Sequence, residues 1–299
     1  MSRLLFCLIG LLLALNAAPR AAAQLQVSLQ MNKTHYVAYE PVLATVTIAN
    51  RAGKDIILGD ANGRGWLTFN VDMIGGNPIL PYAGEPRPQP KVLGAGKALR
   101  ETFSLGRYYP VGSLGNYQVR ANVYFSEFGQ YIASNVKAFA ITDGNALWED
   151  QIGINVPGRP TSYRKMSLLS FQEDDKMTLY VRIREEQTGR VLATYALGRL
   201  VLQREPQATL DAENRLHAFF LSGPKYYRHI IISPDGEKIS EEIYEVKGSS
   251  IPELKITDTG RVRVAGGLLF DPSRPAAPQE VVRRLTDRPP GVPEGDVEK

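Results

Sequence analysis

The sequence predicts an all-β fold: a β-sandwich, then a second antiparallel β domain, then a disordered Pro-rich tail. Three observations predict it. Apolar residues recur at every second position through most of the chain. Helical periodicity is missing from the first half. A weak repeat with an offset of 46 residues runs through the second half.

In residues 42–48 the apolar side chains are Val42, Ala44, Val46 and Ile48, with Thr45 and Thr47 between them. Leu67, Phe69 and Val71 alternate with Thr68, Asn70 and Asp72. Leu99, Phe103 and Leu105 share a parity that only Glu101 breaks. Tyr117, Val119, Ala121, Val123 and Phe125 alternate with Gln118, Arg120, Asn122 and Tyr124. Each pattern is a strand with one dry and one wet face. Residues 25–31, 55–58 and 134–142 bring the count to about seven strands, which with turns such as Arg51-Ala52-Gly53-Lys54 points to a Greek-key sandwich.

Tyr39-Glu40-Pro41-Val42 leads into Val46-Thr47-Ile48-Ala49-Asn50, and residues 114–121 follow later as Leu-Gly-Asn-Tyr-Gln-Val-Arg-Ala. Over residues 25–143 this resembles the immunoglobulin-like domains of secreted bacterial proteins. The resemblance implies an immunoglobulin-like sandwich with Tyr117 in the place of a tyrosine corner. Such domains serve as spacers, adhesion modules, inhibitor-like folds or enzyme appendages, and the fold does not choose among them.

Asp143-Gly144-Asn145 closes this unit, which gives a first domain at residues 24–143. Beyond it, residues 206–218 line up with residues 252–264, each reading as a strand, a polar turn and an Arg-led strand. Pro160 lies another 46 residues upstream, and the strand at 177–183 follows the acidic turn Glu173-Asp174-Asp175. Gln187-Thr188-Gly189-Arg190 and Ser233-Pro234-Asp235-Gly236-Glu237 read as hairpin turns. The turn followed by Gly260-Arg261-Val262 resembles repeats of several bacterial propellers. Three blades at most fit, and a closed propeller needs at least four. The second domain, at 144–270, is therefore expected as a meander or sandwich, or as an open fan of propeller-like repeats. Bare edges of such a fan favour self-association. From Asp271 the chain is rich in Pro, Arg and acids, and 271–299 reads as a solvated tail or a docking peptide.

Residues 1–23 have the layout of a secretory signal peptide: Arg3, an apolar run from Leu4 to Ala18, and Ala21-Ala22-Ala23 before a cleavage point between Ala23 and Gln24. The run is about 15 residues, short of the roughly 20 that span a bilayer, so no integral anchor is expected after cleavage. Cleavage removes the lone cysteine, Cys7, and with it disulfides, Cys-ligated zinc and a thiol nucleophile. It also removes Arg3 and Arg20, so 33 of the 35 Lys and Arg remain against 31 acids, a balance of about +2. Nothing in that charge gathers phosphates, so no nucleic acid partner is expected. The reading is an exported protein, periplasmic or extracellular.

A search for chemistry yields few leads. Of the three histidines, His217 and His229 lie 12 apart on neighbouring strands of one hairpin, within reach of each other, while His35 stands apart. The sequence singles out no third ligand, so no metal site is assigned. Glu185-Glu186 and Glu241-Glu242 are neighbours on strands and point to opposite faces, so neither forms an acid–base pair; Asp174-Asp175 reads as a solvated turn. Gly94-Ala95-Gly96-Lys97-Ala98 lacks the first Gly and the Ser or Thr of a phosphate loop. No catalytic residue and no cofactor are assigned. Adjacent tyrosines beside cations, Tyr108-Tyr109 after Arg107 and Tyr226-Tyr227 after Lys225, are the candidate binding surface. The expected function is a non-catalytic binding module that engages an envelope protein or a polysaccharide. A polymer hydrolase with its site between the domains and a proteinase-inhibitor-like module, with residues 77–96 as its loop, are the alternatives.

Overall fold

The described residues of the N-terminal stretch form ten strands: β1 (Leu25–Met31), β2 (His35–Val37), β3 (Leu43–Asn50), β4 (Ile56–Leu58), β5 (Leu67–Met73), β6 (Lys91–Leu93), β7 (Ala98–Ser104), β8 (Gly115–Phe125), β9 (Gln130–Ala133) and β10 (Lys137–Thr142). The computed structural model describes residues 25–59, 65–82, 84, 86–127, 129–155, 157–158, 160–173 and 175–271. The predicted leader, its Ala23–Gln24 cleavage point and the tail beyond Asp271 lie outside the described residues. Among the described residues no helix is long and apolar enough to cross a membrane.

Two sheets face each other. One has the order β1-β3-β7; the other runs β2-β10-β8-β4-β6, with β5 and β9 also paired to β8. Every ladder is antiparallel except that of β2 with β10. The dry faces of β3 and β8, with Trp66 fully enclosed, fill one core between the sheets. Strands β2, β6 and β9 escape the alternation because three or four residues carry too little of it.

Two local devices fix this sandwich. Asn50 ends β3 buried; its Nδ2 donates to the carbonyls of Lys54 and Leu93, both at 2.9 Å, and its Oδ1 accepts from the Ala52 N–H. That holds the turn at 51–54 to β6. The Tyr117 hydroxyl, at the start of β8, donates to the Ser113 carbonyl at 2.7 Å. The Pro-rich segment 77–96 is tied down where the Ile79 N–H reaches Val71, the Tyr82 N–H reaches Tyr108 and the Trp66 indole reaches Gln89.

The second half stacks two meanders and a hairpin. A middle sheet has β11 (Asn145–Ile154), β12 (Ser162–Glu173), β13 (Lys176–Glu185) and β14 (Val191–Arg199) in sequence order. An outer sheet follows with β15 (Gln207–Leu210), β16 (Leu216–Leu221), β17 (Tyr226–Ile232) and β18 (Lys238–Glu245). The hairpin β19 (Glu253–Ile256) and β20 (Val262–Ala265) packs Leu254 and Val264 on the far face of the outer sheet, and β21 (Leu268–Leu269) pairs with β18. The stack is open, with no closed barrel.

Covering both faces changes the sequence pattern. In β12 the residues from Met166 to Ser170 are all buried, and in β16 all six are. Met166 and Leu168 face the outer sheet, while Leu169 joins Val37 of the first sandwich. Such strands lose alternation and read as continuous apolar runs.

The 46-residue offset is a structural repeat. The β15–β16 turn closes with Asp211 N–H to Arg215 O and Asn214 N–H to Asp211 O; the β19–β20 turn uses Thr257, Arg261 and Gly260 in the same way. Asn214 and Gly260 both have positive φ, +61° and +73°. Asp211 Oδ1 and Thr257 Oγ1 each accept from the N–H four residues on. The match at Pro160 fails, because its turn positions fall inside β12.

Candidate functional site

The two halves meet at a polar knot. Lys33, between β1 and β2, places Nζ 2.5 Å from Glu40, 2.6 Å from Glu173 and 2.6 Å from the Tyr180 hydroxyl. Tyr180 in turn donates to Glu173. Burial opposes the charge on Lys33, yet the bonds to Glu173 and Glu40 outweigh it and hold its pKa above the usual lysine value. Glu173 responds in the opposite sense: burial raises it, but Lys33 and Tyr180 bring it below the usual carboxylate value. Burial and the facing Glu173 push the Tyr180 hydroxyl far up, so it stays a donor. Beside the knot, Arg182 reaches the Ala38 carbonyl at 3.1 Å and Asp143 at 2.8 Å. Gly144 permits the junction, since a Cβ there would meet Leu169 and the Ser170 carbonyl at 3.0 and 3.1 Å.

Next to the knot a cleft of about 420 Å³ opens between the sandwich and the middle sheet. Tyr39, Tyr82 and Arg107 line one side, and residues 191–195 of β14 line the other. Tyr39 has a left-handed φ of +68°, a backbone strain on the order of 1–3 kcal/mol. Its ring rests beside Gly112 and under Arg182. Tyr82 is 66% exposed although the backbone at that residue is tied to Tyr108. Arg107 ends a 3-10 turn at residues 105–107 and has no ion pair among the described residues. Glu40 also lines the cleft, but Lys33 holds it.

No protein-family model and no curated protein matches the chain. Among solved structures, the sporulation control protein Spo0M from Bacillus subtilis matches at 9% identity, over 58% of this chain and 91% of its own. Its TM-score of 0.27 is too low to carry an argument.

The tyrosines singled out in the sequence divide. Tyr109 is 1% exposed and its hydroxyl donates to the Phe69 carbonyl, so it belongs to the sandwich core. Tyr227 is 5% exposed and stacks on Phe219 under the β19–β20 hairpin. Neither is surface; Tyr108 and Tyr226 are half-buried, Tyr108 against the sandwich core and Tyr226 edge-on to Phe270. Sequence reasoning missed Tyr39 and Tyr82, which stand in irregular segments where no periodicity tells in from out.

Two hydroxyls on the β14 wall, Thr194 Oγ1 and Tyr195 OH, are buried without a hydrogen-bond partner among the described residues. Burial pushes the Tyr195 phenol up. Removing an unpartnered buried hydroxyl relieves its desolvation cost, so Tyr195→Phe is expected to raise stability by about 1 kcal/mol, read as a higher urea midpoint. An unchanged or lower midpoint would show that the hydroxyl has a partner.

His217 and His229 do meet. Their ring nitrogens Nδ1 and Nε2 are 2.9 Å apart, and His217 Nε2 is 3.0 Å from Asp211 Oδ2. Arg215 Nε holds the same Asp211 oxygen at 2.7 Å. At the other end His229 Nδ1 faces Glu242 Oε2 at 3.4 Å, and the Tyr244 hydroxyl donates to that oxygen at 2.8 Å. A neutral pair has two N–H groups for three contacts. Its partners place one toward Asp211 and one between the rings, which leaves the long contact to Glu242 unfilled. Three of the four ring nitrogens are thus taken by the other ring or by Asp211. Among the described residues no three His, Cys, Asp or Glu side chains are placed to hold one metal ion. His35 bonds Thr34 at 3.1 Å, and the adjacent pairs Glu185-Glu186 and Glu241-Glu242 are all engaged with cations or with Tyr244. Asp174 lies outside the described residues.

Proposed function

We propose that this is an exported, non-catalytic binding protein of two domains, 24–143 and 144–270, which acts in the periplasm or outside the cell. Its binding site is the cleft at their seam. The carrying observation is the cleft itself, which combines a strained Tyr39, an exposed Tyr82 and an Arg107 without an ion pair among the described residues with walls fixed by the Lys33 knot. Among the described residues Glu40 is the one carboxylate that lines it, and Lys33 holds that carboxylate. The facing sheets and the Tyr117–Ser113 corner bond support an immunoglobulin-like first domain.

A panel of displayed peptides and soluble glycans, titrated against the full chain and its Tyr82→Ala variant, tests the proposal. The expected result is a saturable partner that Tyr82→Ala weakens by about tenfold, with no change in the unfolding midpoint. Binding that survives the substitution unchanged would place the site elsewhere.

A further inference from the structure

We infer that the cleft takes a short, extended polypeptide segment, docked as an added strand along the free edge of β14. This rests on reading the cleft as the binding site. Residues 191–195 line it consecutively. Successive side chains of a strand leave on opposite faces, so a cavity that touches five in a row runs along the strand's edge. That edge is bare. β14 ends the middle sheet, β13 is its one ladder partner, and among the described residues no other backbone hydrogen bond reaches 191–196. Alternate N–H and C=O groups of β14 therefore point into the cleft, the arrangement that accepts an extra strand.

The same strand sets the length and the chemistry of the guest. Bulges opposite Ile183/Arg184 and Leu179/Tyr180 interrupt the ladder on both sides of residues 193–196. The straight edge is thus a few residues long, which suits a short segment and blunts open-ended sheet growth. Tyr82, exposed at the cleft, offers its ring to an apolar side chain, and Arg107 is placed for an acidic one. A sugar would stack on the tyrosines but has no backbone to match a ladder. The edge therefore favours polypeptide.

The test begins with random 12-residue peptides displayed on phage and selected on the full chain. Selected peptides are then remade with an N-methyl group at each position in turn, and amide exchange of the full chain is compared with and without peptide. Strand addition predicts acid-containing peptides whose binding falls about tenfold or more at alternating N-methyl positions and little between them. It also predicts added protection within β14. Sensitivity at every position, at none, or protection confined to other strands overturns the inference. If only glycans bind, and Tyr82→Ala weakens them, the cleft stands as the site and the polypeptide inference falls. If neither class binds, both fall.

Discussion

Replacing Lys33 by methionine is expected to lower stability by about 3 kcal/mol, because it strips the counter-charge from two carboxylates held out of water. Glu40 and Glu173 are 8% and 18% exposed at the side chain, and both lie within hydrogen-bond reach of Tyr180. Without Lys33 the two negative charges face each other across one phenol. Urea unfolding at pH 7 measures the loss, and adding Glu173→Gln to Lys33→Met should return part of it. The substitution should also weaken partner binding, since the knot fixes the walls of the cleft. A midpoint that stays in place would mean that solvent screens the knot as it does a surface pair.

Acidification is expected to destabilise the second half before the carboxylates titrate. Burial first, then the neighbouring His217, hold His229 below the ordinary imidazole value, with Glu242 pulling weakly the other way. The unfolded chain takes that proton near pH 6.5 and the folded chain only at lower pH. Stability therefore falls as the pH drops from about 6.5 toward the folded value, by at most about 1.4 kcal/mol per pH unit for one proton. Asp211 acts in a separate window. Burial raises it, but its bonds to His217 and Arg215 bring it below the usual aspartate value, so its contribution is present above the unfolded-state value and lost at stronger acid. The groups that face the pair are Asp211 and Arg215 from the β15–β16 turn and Glu242 and Tyr244 from β18; the hairpin above contributes Leu254 and Val264. His229→Phe should flatten the dependence between pH 7 and 5, measured as denaturant midpoints against pH. A wild-type midpoint that is level or rising over that range would contradict the assignment.

How far the sequence speaks depends on how local the cause is. Half-buried strands announce themselves, so β3, β5 and β8 stand where alternation places them, and the 46-residue repeat marks two turns closed by equivalent bonds. Asn50 is legible as a strand end because its side chain serves its own turn. The meeting of His217 and His229 follows from hairpin register, but the Asp211 and Glu242 that flank them do not stand out from other turn and strand acids. Tyr109 and Tyr227 mislead, since a tyrosine beside a cation looks the same whether its ring enters a core or leaves it. The Lys33 knot joins residues 140 and 147 positions apart, and the bare edge of β14 depends on where the sandwich lies. Both are products of tertiary packing that no local window carries.

The central claim is that a partner enters the cleft between the halves, and a reporter at its mouth tests it most directly. Cys7 is the chain's lone cysteine, so after Cys7→Ser a single new thiol can be labelled cleanly. Leu80→Cys, two residues from Tyr82 and 78% exposed in the native residue, places an environment-sensitive fluorophore beside the cleft; Ile256→Cys on β19, in the hairpin on the far face of the outer sheet, is the control. Titration with the peptides and glycans of the panel should give a saturable spectral shift at position 80 and none at 256. Equal shifts at both positions, or a shift at 256 alone, would contradict the account.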